Sequence, residues 1–198
     1  MIFLVLAGGA LSIPVAQALF GRSPGFLRHL GFLSGPRGTF VAWSVGFAVA
    51  GLYSAYAVRR IPLVRQHWRA VSVVKFVGVL VAISAAIVEE AFFRRFLMDA
   101  LLRAGWPDAL QVIASGVIFG AAHASWALVT GHVAVGVGAM IATGTLGTGL
   151  ALAYILGDRS LAPVIVAHFI VTATIQPGIM FAAFSGRMRQ QEPPQYAA

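Results

Sequence analysis

Residues 71–102 read VSVVKFVGVLVAISAAIVEEAFFRRFLMDALL and decide the fold. Before Glu89 the stretch carries a single charge, at Lys75. A helix of about 20 apolar residues is long enough to cross a hydrocarbon core about 30 Å thick. The stretch therefore predicts a membrane-spanning helix that carries Glu89, Glu90 and Arg94 within its second half.

Further apolar stretches of similar length lie at residues 1–20, 38–58, 109–129, 133–156 and 161–184. The mean hydropathy of the chain is +0.87, and 10% of its residues are charged, against roughly 25% in a soluble domain. These values exclude a soluble globular protein and predict an all-α, polytopic transmembrane helical bundle of about six spans. Because the 71–102 stretch exceeds what a bilayer requires, its second half is expected to enter the headgroup region or to bend there.

Further predictions concern the two ends of the chain and the bounds of the domain between them. Residues 1–20 include Ala16-Gln17-Ala18, which resembles a signal-peptidase site, but the lack of a basic region before them favours a retained helix. We expect one transmembrane domain over residues 1–186, with a motif-bearing core at about 71–184 and a polar tail at 187–198. The distribution of Arg residues favours a cytoplasmic location for both termini.

The charge balance narrows the classes of function. The chain has 14 Lys and Arg residues against 6 acidic residues, but the Arg residues fall between apolar stretches instead of forming one stripe. Anionic lipid headgroups and the positive-inside tendency account for them, and no nucleic-acid partner is expected. The absence of Cys excludes disulfides, thiolate zinc sites and a Cys nucleophile.

The 133–156 stretch is rich in glycine. Small residues let neighbouring helix backbones approach closely in lipid. We therefore expect helix packing to be the role of five glycines, namely Gly136, Gly138, Gly144, Gly147 and Gly149.

Polar residues at membrane depth are the candidates for chemistry. A charge at the centre of a spanning helix costs about 2.5 to 3.5 kcal/mol on insertion scales. Glu90 and Arg94 are four residues apart and share a helix face, so they can neutralise each other. Glu89 lies about 100° around the helix, where its carboxylate is available to a polar cavity. An isolated Glu–Arg pair also fits a helix end that meets water, but His123 and His168 on other apolar stretches favour a shared interior site.

Three motifs in order on successive apolar stretches resemble one family. Residues 89–94, Glu-Glu-Ala-Phe-Phe-Arg, fit EExxxR, and residues 119–123 fit FxxxH. His168 begins the third motif, HxxxN, in which this chain has Thr172 at the position of Asn. The region of about 71–172 thus resembles the CPBP family, the CaaX proteases and bacteriocin-processing enzymes, which is also called the Abi family.

The resemblance implies an intramembrane protease with four catalytic residues. Glu89, assisted by His123, would activate a water molecule for attack on a peptide carbonyl. His168, with Thr172, would stabilise the oxyanion. Thr172 offers one hydroxyl donor where the family has an amide, and a catalytically impaired membrane scaffold or binding protein of the same fold is the alternative function.

Glu90, Arg94 and Phe119 are implied as supports of the site, and no cofactor is expected. A zinc-dependent intramembrane protease is a further alternative, because Glu89, His123 and His168 could supply three ligands. The HExxH, GxSG and GxGD motifs of other intramembrane proteases are absent.

The expected partners are the lipid bilayer and a membrane-anchored protein or peptide substrate. The resemblance offers prenylated proteins, bacteriocin leaders and sorting tails as substrate classes. The expected location of this multi-pass protein is a prokaryotic cytoplasmic membrane.

Overall fold

The computed structural model describes residues 38–184, and over that range the chain is helical, without strands. The predicted span at 1–20, its possible cleavage site and the tail at 187–198 lie outside the described residues. The α-helices and the single π-helix of the described range are α1 Phe40–Arg60, α2 Pro62–His67, α3 Val73–Glu90, the π-helix Ala91–Met98, α4 Asp99–Arg103, α5 Asp108–His123, α6 Trp126–Thr130, α7 Val133–Leu156 and α8 Leu161–Phe184.

Within the described range, the helical segments with the length and hydropathy of membrane spans match the predicted stretches. They are Phe40–Arg60, Val73–Arg103, Asp108–Thr130, Val133–Leu156 and Leu161–Ala182. The prediction of a helical membrane bundle is therefore confirmed for every predicted span that the structure describes.

The connections begin and end with residues suited to helix termini. The Thr39 side chain accepts a hydrogen bond from the backbone N–H of Ala42, and the Ser72 side chain accepts one from Lys75, which caps α1 and α3. Gly131, with φ of +79°, closes α6 in the left-handed region that favours glycine. These capping residues end the helices, and short turns connect the spans.

The long span from Val73 to Arg103 is continuous but changes its hydrogen-bond register. It is α-helical up to Glu90, becomes π-helical at Ala91–Met98 and ends as α4. The second half of this stretch thus differs from the first in its helix type, which the sequence did not predict. π-helical turns occur frequently at functional sites, and this one begins directly after the two glutamates.

Glycines form the closest contact between α5 and α7. A Cβ built at Gly120 would lie 2.5 Å from the carbonyl oxygen of Met140 and 2.9 Å from Cα of Gly144. The packing role predicted for the α7 glycines is confirmed for Gly136, Gly144, Gly147 and Gly149, all of which face a neighbouring helix. At Gly138 an added Cβ would meet none of residues 38–184 within 4 Å, so a packing role is not confirmed there.

Gly120→Ala should destabilise the bundle, because the new methyl group would collide with the α7 backbone. Overpacking of this kind costs about 1 to 3 kcal/mol, so we expect a lower midpoint of thermal unfolding in detergent. Gly138→Ala is the matched control, and it should leave the midpoint unchanged or raise it slightly, since Ala is the better helix former. Equal midpoints for the two variants would contradict the close α5–α7 contact.

Candidate active site

Glu89 and Glu90 end α3 and face different surroundings. The side chain of Glu90 is fully buried, whereas that of Glu89 is 30% exposed. Successive helical residues point about 100° apart, which accounts for this division. The pair therefore supplies one enclosed and one accessible carboxylate.

Glu90 is held by cationic or donor groups on both of its oxygens. Its Oε2 lies 3.0 Å from Nε of Arg94, and its Oε1 lies 2.7 Å from Nδ1 of His168. The first contact is the i,i+4 pair expected from the sequence. The second joins α3 to α8 and was not part of that prediction. A buried carboxylate is costly unless it is paired and hydrogen-bonded, and both requirements are met here.

Arg94 connects the π-helix to two further helices. Its NH2 group donates a hydrogen bond to the carbonyl oxygen of Gly147 on α7, at 3.0 Å. Its Cζ atom lies 5.1 Å from the centre of the Phe119 ring on α5, within the range of a cation–π interaction. Arg94 is fully buried, and its surroundings are the Glu90 carboxylate, the Gly147 carbonyl and the Phe119 ring, while its Nη1 atom has no hydrogen-bond partner among the described residues.

His123 is the last residue of α5, and one of its ring nitrogens is hydrogen-bonded to the backbone. Its Nδ1 lies 2.8 Å from the carbonyl oxygen of Phe119. A carbonyl oxygen only accepts, so Nδ1 carries the hydrogen, and in the neutral ring Nε2 is left as an acceptor. That Nε2 lies 4.0 Å from Oε2 of Glu89.

The two histidines converge on the same oxygen of Glu89. Nε2 of His168 lies 3.8 Å from Glu89 Oε2, close to the 4.0 Å that separates the same oxygen from His123. Both distances are too long for a direct hydrogen bond, but a single water molecule can lie within hydrogen-bonding distance of both ends. Oε2 is buried and accepts no hydrogen bond from the described residues. Oε2 of Glu90 also accepts no hydrogen bond, but it lies 3.0 Å from the Arg94 cation, whereas Oε2 of Glu89 has only the two histidine rings nearby.

Phe119 forms an aromatic wall beside this cluster. Its buried ring contacts Phe93 edge-on, with 4.9 Å between centroids, and His168 edge-on at 5.7 Å. A Cβ built at Gly147 would lie 3.0 Å from the Phe119 side chain. The ring thus separates the histidines from the α5–α7 contact and restricts where His168 can move.

Thr172 follows His168 by one turn of α8 and is partly buried. Its hydroxyl has no hydrogen-bond partner among residues 38–184. The side chains of His123, His168 and Glu89 come together, whereas Thr172 is placed next to them only through its position on α8.

In the described range, no three His, Asp or Glu side chains are spaced to hold a metal ion.

A second polar cluster lies nearer the ends of the helices. Arg159 donates hydrogen bonds to Asp99 at 2.7 Å and to Gln111 at 2.5 Å, and Tyr154 donates one to Asp99 at 3.2 Å. Arg159 has a φ of +60°, which is unusual for a residue other than glycine. These bonds connect the α7–α8 turn to α4 and α5, and they lie outside the glutamate cluster.

Sequence reasoning missed two contacts of the site. The hydrogen bond between Glu90 and His168 joins residues 78 positions apart, and that between Arg94 and Gly147 joins residues 53 positions apart. No spacing rule connects such distant residues. The only available signal was the scarcity of polar groups at membrane depth, which indicates that those present share partners.

The sequence that forms this site also matches a known protein family. The model of the Type II CAAX prenyl endopeptidase Rce1-like family matches residues 71–174. The chain belongs to this family. The match covers more than half of the chain and includes both glutamates and both site histidines. No curated protein and no solved structure matches the chain. Membership places this multi-pass membrane protein in a family of peptide hydrolases.

Arg94→Ala should strongly destabilise this family member, because it leaves Glu90 buried without its cation. Breaking a buried ion pair costs about 3 to 5 kcal/mol. The measurement is thermal unfolding of the purified protein in detergent. Arg95→Ala is the matched control, since Arg95 is the adjacent and exposed arginine, and it should change the midpoint only slightly. An equally small effect of both substitutions would contradict a supporting role for Arg94.

Proposed function

We propose that the chain is an intramembrane endopeptidase that hydrolyses a peptide bond in a membrane-associated protein or peptide by means of an activated water molecule. The observation that carries the proposal is the convergence of two imidazole Nε2 atoms on Glu89 Oε2. Membership of a prenyl endopeptidase family supports the reaction class. A prokaryotic cytoplasmic membrane is the proposed location.

We assign different hydrogen-bonding states to the two histidines, on the basis of their partners. Glu89 and Glu90 with Arg94 carry a net charge of minus one when all three are ionised, and a net charge is unfavourable at membrane depth. The ring of His168 lies between Oε1 of Glu90 and Oε2 of Glu89, both of which accept hydrogen bonds. We therefore propose that His168 donates from both ring nitrogens, while Nε2 of His123 serves as an acceptor.

These states support a direct attack of water on the peptide. A water molecule held by Glu89 and His123 transfers a proton to them as its oxygen bonds to the carbonyl carbon. Nε2–H of His168 and the hydroxyl of Thr172 donate to the oxyanion, and removal of one such donor typically costs about 2.7 to 4 kcal/mol. The abstracted proton passes to the leaving amine as the C–N bond breaks. No covalent enzyme intermediate forms, and no metal ion takes part in the proposed reaction.

Glu90 and Arg94 position the reacting groups. Oε1 of Glu90 accepts from Nδ1–H of His168, which fixes the ring and directs Nε2 toward Glu89. Arg94 in turn fixes Glu90 from the side of the π-helix. The supporting residues therefore determine the direction in which His168 donates.

Glu89→Gln and His123→Gln should each abolish most cleavage while preserving the fold. Loss of a general base lowers rates by about 10² to 10⁴-fold. The assay uses purified protein in liposomes with a library of prenylated and membrane-anchored peptides, and mass spectrometry detects the products. His132→Gln, a histidine outside the site, is the control and should keep the rate of the parent protein.

Unchanged cleavage in Glu89→Gln and His123→Gln would refute the assignment. The same assay distinguishes the zinc alternative. Chelator-treated protein should cleave at an unchanged rate, whereas loss of activity on chelation and its return with zinc would favour the metal-dependent reaction.

Thr172→Val should lower the turnover number about tenfold or more, because it removes one proposed oxyanion donor at nearly constant volume. Thr172→Asn should retain or increase turnover, since the amide also donates. Thr174→Val is the matched control on the same helix, where the hydroxyl donates to the carbonyl oxygen of Ile170 at 2.8 Å. It should leave turnover within about twofold.

The scaffold alternative rests on Thr172 at the position of the motif Asn. It predicts that no substitution at 172 affects cleavage and that Arg94→Ala affects stability alone. An active parent protein with a Thr172-dependent rate would eliminate this alternative.

A further inference from the structure

The connection between α1 and α3 carries a cluster of positive charge that no acidic side chain of residues 38–184 compensates. Arg60 ends α1 and Val73 begins α3, so both ends of this connection lie at the same side of the membrane. We call its cationic residues the basic surface, and they are Arg59, Arg60, Arg65, Arg69 and Lys75.

No acidic residue within the described range 38–184 is paired with this surface. Residues 38–88 contain neither Asp nor Glu, and none of the ion pairs described for residues 38–184 involves a cation of the basic surface. At the opposite ends of the spans, Arg159 is paired with Asp99 at 2.7 Å and lies 3.6 Å from Asp108. The positive charge of the described bundle is therefore concentrated on one of its two sides.

The short helix α2 is packed firmly enough to present this charge in a defined place. Val64 is fully buried, and a Cβ at Gly178 of α8 would lie 2.9 Å from the carbonyl oxygen of Leu63. The His67 ring lies 4.0 Å from the ring of Phe181. One face of α2 is thus fixed against α8, whereas Arg65 on the other face is exposed.

Trp68 brings two of the cations together. The Cζ atom of Arg69 lies 4.5 Å from the centre of the Trp68 ring, and Nζ of Lys75 donates to the Trp68 carbonyl oxygen at 2.5 Å. Trp68 itself is 39% exposed, and tryptophan is enriched at the level of lipid headgroups. The two charges therefore lie where phosphate groups of a bilayer are found.

Apolar side chains continue from this cationic cluster into the membrane. Val71, Val73 and Phe76 are 99%, 79% and 65% exposed at the beginning of α3. Cations above exposed apolar side chains match an anionic phospholipid, which has a phosphate above its acyl chains. A free anion or an acidic soluble peptide would match the charge alone.

We propose that the basic surface is a binding site for anionic phospholipid headgroups, centred on Trp68, Arg69 and Lys75. This interaction fixes the beginning of α3 at the membrane surface, and α3 is the helix that ends in Glu89 and Glu90. The proposal does not depend on the protease reaction.

The test reconstitutes the full chain in nanodiscs of phosphatidylcholine and phosphatidylglycerol in equal amounts. Lipids that remain bound after transfer to mild detergent are then quantified. The parent protein should enrich phosphatidylglycerol several-fold at low salt, and enrichment should fall as ionic strength rises, because salt screens exposed charges. An R69Q/K75Q variant should lose most of the enrichment.

Two control variants make the result specific. R95Q/R103Q removes the same number of cations from the π-helix and α4, in the second half of the Val73–Arg103 span, and should keep the enrichment. R69K preserves the charge and should also keep it, which separates binding from a general loss of folding. The proposal is overturned if the parent protein shows no enrichment, if both double variants lose it equally, or if an acidic peptide binds the basic surface while the lipid does not.

Discussion

The described fold depends on the burial of the Glu90 carboxylate. A carboxylate at membrane depth must be paired and hydrogen-bonded, because no water compensates its charge there. Arg94 and His168 meet this requirement from the π-helix and from α8. Arg94 also donates a hydrogen bond to the Gly147 carbonyl of α7 and lies over the Phe119 ring of α5. One charged group therefore determines how four segments of the chain are placed around it.

The glycines of α5 and α7 allow these polar contacts to form. Arg94 reaches the carbonyl of Gly147 while Phe119 packs over the same residue, at 3.0 Å from where a Cβ would stand. A side chain at 147 would displace Phe119 and with it the wall beside His168. In lipid, close helix approach relies on small residues because there is no hydrophobic effect between helices. The small residues and the buried cluster thus depend on each other.

Local sequence patterns predicted the membrane spans and the Glu90–Arg94 pair of the site, and both predictions have a physical reason. Apolar length specifies a membrane helix, and a spacing of four residues places Glu90 beside Arg94. The contact of Glu90 with His168 depends on which faces of two distant helices meet, and no local pattern contains that information. Gly138 shows the same limit, since composition alone does not tell which α7 glycines face a neighbour. The π-helix after Glu90 had no signal in the sequence.

The two adjacent glutamates differ in their capacity to accept a hydrogen bond, because their carboxylate oxygens have different partners. Oε1 of Glu90 is hydrogen-bonded to His168 at 2.7 Å, and its Oε2 is ion-paired with Arg94 at 3.0 Å, so a cation or a donor lies beside each oxygen. Oε2 of Glu89 has the two Nε2 atoms at 3.8 and 4.0 Å and no hydrogen bond from the described residues. His168 contacts Glu90 through one nitrogen and faces Glu89 with the other. The enclosed and the accessible carboxylate are therefore joined through a single ring, whose two nitrogens lie 2.7 Å from Glu90 Oε1 and 3.8 Å from Glu89 Oε2.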